Sequence, residues 1–147
     1  MIDDLWYKNG VIYCIAVAAF MDSDGDGIGD FGGLLRRLDY LAGLGVNTIW
    51  LLPFQLSPMR DDGYDIADYY GIDPHYGTLG DFVEFAHGAK QRGMRVIIDL
   101  VVHHTSDRHL WFQAVRSDGR HHVAIGPCGY RWFCVGGLDY ILRWTDS

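Results

Sequence analysis

Apolar residues fall along this chain in two alternating patterns, unbroken runs and stripes at helical spacing. Residues 11–20, VIYCIAVAAF, form a nearly continuous apolar run rich in β-forming residues, the pattern of a strand buried on both faces. Leu34, Leu38 and Leu41 then recur at helical spacing, and Gly43 and Gly45 supply a stop. Residues 47–52, NTIWLL, predict a second buried strand, closed by Pro53. A long polar connection runs to about Pro74. Thr78 with Asp81 reads as a capping-box helix start, and Phe82, Phe85, Ala86 and Ala89 give that helix one apolar stripe before Gly93 ends it. Residues 95–102, RVIIDLVV, predict a third buried strand.

The order strand, helix, strand, helix, strand implies an α/β fold with parallel strands and right-handed crossovers. A doubly wound sheet and a (β/α)8 TIM barrel both fit. No G-x-G-x-x-G follows the first strand, which argues against a dinucleotide fold. A whole barrel needs roughly 250 residues. The 147 residues here would supply its first three strands and two helices, an incomplete barrel. The strand–helix rhythm fades from His109 onward, which separates residues 1–108 from a divergent tail, 109–147.

Composition narrows the function. At 49% hydrophobic the chain has material for a real core. A net charge of -7 argues against nucleic-acid binding through phosphates. Three cysteines, Cys14, Cys128 and Cys134, form no C-x-x-C pair and suit a reducing compartment. The opening MIDDLWYKNG lacks a signal peptide's basic and apolar regions, and no apolar run reaches membrane-spanning length. A soluble cytoplasmic protein without membrane partners is expected.

The candidate chemistry follows the three strands, where βα architectures gather functional residues. After the first strand comes DSDGDGIGD, residues 22–30, with carboxylates at positions 1, 3, 5 and 9. An EF-hand would close with Glu at position 12, but that position is Gly33. Asp22, Asp24, Asp26 and Asp30 offer hard oxygens, to which the Ile28 carbonyl can add. The alternative is a solvated turn held by side-chain-to-backbone bonds. After the second strand comes SPMRDDGYDIADYYGIDPHYG, and after the third HHTSDRHLWF. His103, His104 and His109 invite a transition-metal reading. Adjacent strand residues point to opposite faces, however, so His103 and His104 are not expected to share an ion. Trp111 and Phe112 are expected to pack.

Residues 5–34, 44–82 and 92–112 closely resemble the α-amylase superfamily, glycoside hydrolase family 13, and within it enzymes of the trehalose synthase and oligo-α-glucosidase kind. The recognisable pattern stops near Arg116, which raises the expectation of a frameshift there. The resemblance implies an α-glucoside-processing, retaining enzyme acting on small sugars such as maltose or trehalose. It implies structural Ca2+ in the 22–30 loop. It also implies that Asp61 bonds hydroxyls of the glucose in the −1 subsite, that Tyr64 stacks on that sugar and that His104 contacts it, with Asp65 bracing the loop. Asp99 takes the place of a structural Asp. His103 departs from the family's usual Asn, which puts a second calcium site in doubt.

Glycoside cleavage needs two carboxyl groups flanking the scissile bond. The family's nucleophile motif, G-F-R-x-D-A, has no counterpart here, and Asp139 in GGLDYIL lacks the flanking Arg. The chain alone is therefore expected to be inactive. A non-catalytic calcium- or sugar-binding module, or a nonfunctional truncated gene product, are the alternatives.

Overall fold

The computed structural model describes residues 5–117, 132–135 and 138–141. The strands are β1 (Ile12–Ile15), β2 (Thr48–Leu51), β3 (Gln55–Leu56), β4 (Asp68–Ile72), β5 (Arg95–Ile98), β6 (Trp132–Val135) and β7 (Leu138–Ile141). The helices are α1 (Val17–Phe20), α2 (Phe31–Arg36), α3 (Leu38–Gly43), α4 (Leu79–Gln91) and α5 (Leu110–Ser117), with short 3-10 turns at Trp6–Asn9 and Pro74–Tyr76. The chain divides into two compact units, Met1–Phe54 with Ile72–Asp99, and Gln55–Gly71 with Leu100–Ser147.

The first unit is built on a parallel sheet of order β1-β2-β5, the three strands expected. Ile12 pairs with Thr48 and Thr48 with Arg95, and the register runs on to Ile15, Leu51 and Ile98. Side chains alternate along a strand, so one sheet face carries Ile15, Ile49 and Leu51, all buried. Leu34, Leu38 and Leu41 from α2 and α3, and Phe85 and Ala89 from α4, complete that core, with Phe31 touching Phe54, Phe82 and Phe85. The helical stripes are thus the ones the sequence spacing indicates. Thr78 caps α4 as expected: the Asp81 N–H donates to its hydroxyl, and the Thr78 N–H donates to the Asp81 carboxylate.

Four expectations are corrected. The first strand ends at Ile15, and Val17–Phe20 is one helical turn. The chain doubles back there: Gly29 donates to the Ala18 carbonyl at 2.7 Å and Asp30 to the Met21 carbonyl at 3.0 Å. An extended segment cannot meet its own return loop in that way. Nor is β1 buried on both faces, since only Ile15 among its residues is buried. On the opposite sheet face Ile12 and Trp50 are 49% and 37% exposed. The first helix is two segments, because Arg37 donates to the Leu34 carbonyl in an i to i−3 bond that tightens the turn. The third strand stops at Ile98, in register with the end of β2, beyond which the donor-less Pro53 breaks the ladder.

In the second unit β3 pairs with β4 inside the stretch expected to be a polar connection. The described residues of the 109–147 segment include regular elements where the sequence rhythm fades. Helix α5 starts as Gln113 donates to the His109 carbonyl, and β6 and β7 form an antiparallel pair with Trp132 opposite Ile141. The pair His121–His122 and Cys128 lie outside the described residues.

Gly33 has a specific duty. A Cβ there would overlap the Met21 carbonyl, and one at Gly29 would overlap the Val17 carbonyl. Gly33→Ala should cost about 3 kcal/mol or more, because backbone and not a flexible side chain blocks the space. Urea unfolding followed by circular dichroism checks this, and an unchanged midpoint would contradict it.

Candidate functional site

The acidic loop belongs to the first unit. Its carboxylates are turned onto their own backbone. Asp22 accepts from the N–H groups of Asp24, Gly25 and Gly27, and Asp24 accepts from Asp26. Asp26 accepts from Ile28 at 2.7 Å. Asp30 takes the Ser23 N–H at 2.8 Å on one oxygen and the Gly33 N–H at 2.6 Å on the other, so it closes the loop and caps α2 together. Gly25 and Gly27 sit at φ +90° and +91°, a conformation open to glycine and strained for other residues.

The N–H groups of Gly25 and Gly27 hold the Asp22 carboxyl below its ordinary value. For Asp30, burial pulls upward, but the bonds from Gly33 and Ser23 outweigh it and the net direction is down. Both groups are therefore ionised at neutral pH. Carboxylate oxygens of Asp22, Asp24 and Asp30 lie within 4.8 Å of one another. Two oxygens bound to one calcium at about 2.4 Å each are at most about 4.8 Å apart, so this trio fits the ion. Asp26 stands outside the trio, with its carboxylate on Ile28.

The residues matched to the sugar subsite fall in the second unit. Asp65 braces their loop: one oxygen accepts from the Ser57 hydroxyl at 2.6 Å and from the Asp61 N–H at 3.3 Å, the other from the Arg60 N–H at 3.1 Å. Tyr64 donates its N–H to the Asp61 carbonyl at 2.8 Å, which closes the turn. Met59, Asp62 and Gly63 have φ of 57°, 49° and 93°, a run of left-handed backbone that those bonds hold in place. Asp61 is exposed and Tyr64 half-buried. His104 lies on a segment fixed by two bonds, from the Tyr69 hydroxyl to the His104 carbonyl at 2.8 Å and from Ser106 to the Ile66 carbonyl at 2.9 Å. In the first unit Asp99 accepts from the Trp50 indole at 2.7 Å, a structural contact.

Two features escaped the sequence reading. Tyr69, His109 and Trp111 form an aromatic cluster, and two of the three, His109 and Trp111, line a cleft of about 520 Å³ together with Ser57, Asp68 and Arg108. Burial pushes the Tyr69 hydroxyl up to about 12. Burial also lowers the His109 imidazole, with partial opposition from Asp68, and its Nδ1 accepts the Trp111 N–H at 3.1 Å. His109 is thus neutral, with its proton on Nε2. The only sequence signal was His109 and Trp111 two positions apart in a polar stretch, with nothing to link them to Tyr69. The second feature corrects an expectation: His103 Nε2 and His104 Nδ1 are 2.8 Å apart. The segment has left the strand by residue 99, so the alternation that would separate them no longer applies.

Parallel strands joined by helices, as in the first unit, define the α/β class that begins a (β/α)8 barrel. The chain belongs to the α-amylase family: the family's catalytic-domain model matches residues 14–127. The trehalose synthase of Thermus thermophilus is 61% identical over 115 residues, 78% of this chain and 12% of that protein. The trehalose synthase/amylase of Mycobacterium tuberculosis is 52% identical over 147 residues, 99% of this chain and 23% of that protein. The crystal structure of trehalose-6-phosphate hydrolase from Bacillus licheniformis superposes with a TM-score of 0.77 at 36% identity, covering 94% of this chain and 28% of that one. The chain thus spans between about an eighth and a little over a quarter of these relatives' lengths. Both the family model and the Mycobacterium alignment continue past Arg116.

The lowered Asp22 and Asp30 carboxyls link the loop to pH. A carboxyl whose folded value is depressed adds stability that is present above its unfolded value of about 3.9 and lost as pH falls through the folded value. Asp30→Asn should flatten the acid limb below about pH 4 and cost about 1 kcal/mol at neutral pH, because an amide has one acceptor oxygen for the two N–H groups that the carboxylate takes separately. Acid titration of the unfolding midpoint checks both, and an acid limb identical to the parent's would contradict the assignment.

Proposed function

We propose that this chain is the portion of an α-glucoside-processing enzyme that supplies the calcium-clamped first loop and one wall of a glucose subsite. The observation that carries the reading is the Asp65-braced turn. It presents an exposed carboxylate, Asp61, and an aromatic ring, Tyr64, from a backbone held rigid by three bonds. A glucose ring has hydroxyl donors at its edge and C–H groups on its faces, and those two side chains match them. His104 adds an imidazole from the same unit. The names of the relatives, trehalose synthase and trehalose-6-phosphate hydrolase, support small α-glucosides such as trehalose or maltose as the substrate class. Retaining double displacement would be the chemistry of the whole enzyme.

In the first loop Ca2+ would be held by Asp22, Asp24 and Asp30, with Asp26 and the Ile28 carbonyl as the further oxygens implied by the family resemblance. It would neutralise carboxylates that otherwise repel one another. Its part is to hold the loop and not to enter the reaction. Among the described residues no helix is long and apolar enough to cross a membrane. An odd number of cysteines with no C-x-x-C spacing supports a cytoplasmic location.

Calorimetry should detect one calcium per chain, and Asp24→Ala should weaken it at least about tenfold while Cys14→Ser does not. Equal affinity in parent and Asp24→Ala would overturn the site. The 147-residue chain should show maltose- or trehalose-induced NMR shifts at Tyr64 and His104 without releasing glucose, since it carries subsite residues but no nucleophile motif. Glucose release above a blank, abolished by Asp61→Ala, would refute the inactivity. Shifts confined to residues 109–147 would refute the subsite.

A further inference from the structure

We infer that His103 and His104 form a bidentate site for a divalent transition metal, of the kind that accepts two nitrogens at a right angle. The two facing ring nitrogens are 2.8 Å apart, and the rings meet edge to face at 78° with centroids 4.2 Å apart. Two imidazole nitrogens bound at about 2.0–2.1 Å would be about 2.9 Å apart at a right angle and about 3.3 Å apart at a tetrahedral angle. The observed 2.8 Å is a hydrogen-bond contact, so the rings need part only slightly to reach the right-angle spacing and further to reach the tetrahedral one. Tetragonal and octahedral ions, Cu2+ and Ni2+, take imidazoles in the right-angle arrangement, whereas structural Zn2+ prefers the wider angle.

The backbone beneath the rings is fixed while the rings remain accessible. The Tyr69 hydroxyl holds the His104 carbonyl, Ser106 is bonded to Ile66, and Thr105 and Ser106 are buried. His103 is exposed and His104 half-buried, so water can fill the remaining coordination positions. Among the described residues no carboxylate forms an ion pair with either ring. In the metal-free state one nitrogen of the pair donates a proton to the other. Binding needs both facing nitrogens free of protons, so the donating ring carries its proton on its other nitrogen instead, and both rings turn about their side-chain bonds to aim the freed nitrogens at one point. Two protein ligands make this an exchangeable site, distinct in chemistry from the acidic loop, whose oxygens suit calcium.

A consequence rests on the reading of His104 as a sugar contact: an ion held there would exclude the sugar from that imidazole. Metal binding and sugar exclusion fail separately, so the two readings can be told apart.

Ni2+ alone is the probe, added below stoichiometry to the full chain labelled on its histidine rings. Paramagnetic broadening should appear first at His103 and His104. Even an outer-shell partner of a metal ligand is worth about 10-fold to 100-fold in affinity, so His103→Asn and His104→Asn should each weaken binding at least about tenfold. The double variant His121→Asn, His122→Asn, which removes the chain's other adjacent pair, should leave it unchanged. First broadening at His121 and His122, or undiminished affinity in His103→Asn, would overturn the site. If a variant loses its dispersed amide spectrum, the broadening map of the parent decides alone. Sugar shifts at Tyr64 that persist with Ni2+ bound would remove the consequence and leave the metal site standing.

Discussion

Between residues 17 and 33 the backbone approaches itself so closely that Gly29 and Gly33 leave no room for a Cβ, and one carboxylate holds that approach shut. Asp30 bonds Ser23 on one side and Gly33 on the other, while its own N–H reaches the Met21 carbonyl. The consequences spread outward. The segment after β1 must coil into a helical turn, and Phe31 starts α2 at a position where its ring meets Phe54, Phe82 and Phe85. The register of Leu34, Leu38 and Leu41 against the sheet follows from that start. The acidic loop is thus a clasp for the first strand–helix connection, and calcium would reinforce a geometry that hydrogen bonds already define.

Much of this was legible in the chain because local rules and tertiary packing agree. Leu34, Leu38 and Leu41 mark the buried face by spacing alone, and all are fully buried. Thr78 and Asp81 mark a helix start that depends on four residues only. Failures came where distant residues decide. Nothing in VIYCIAVAAF says that Val17–Phe20 leaves the strand, because the cause lies in Gly29 and Asp30. Burial of β1 on both faces was inferred from apolar character, but sheet position sets burial, and Ile12 and Trp50 lie on the face away from the helices.

Of the candidate site, the approach of the Asp22, Asp24 and Asp30 carboxylates to one another could be anticipated from their spacing, whereas the Asp26 carboxylate turns to Ile28. The sugar contact proposed for Asp61 and Tyr64 rests on resemblance, since a polar turn with a glycine has no chemical signature of its own. The brace from Asp65 is what gives that turn a defined shape. The Tyr69, His109 and Trp111 cluster joins residues some forty positions apart and was hidden for that reason. The His103–His104 contact was excluded by an alternation rule that holds on strands, and the chain there is no longer a strand.

Amide hydrogen exchange at single residues tests the clasp most directly, in calcium-free buffer. If Asp30 defines the connection without an ion, the Ser23 and Gly33 amides exchange as slowly as Leu52, whose N–H donates to Ile15 across the sheet. Exchange of Ser23 and Gly33 at unprotected rates while Leu52 stays protected would contradict the account, because the sheet would then stand without the clasp.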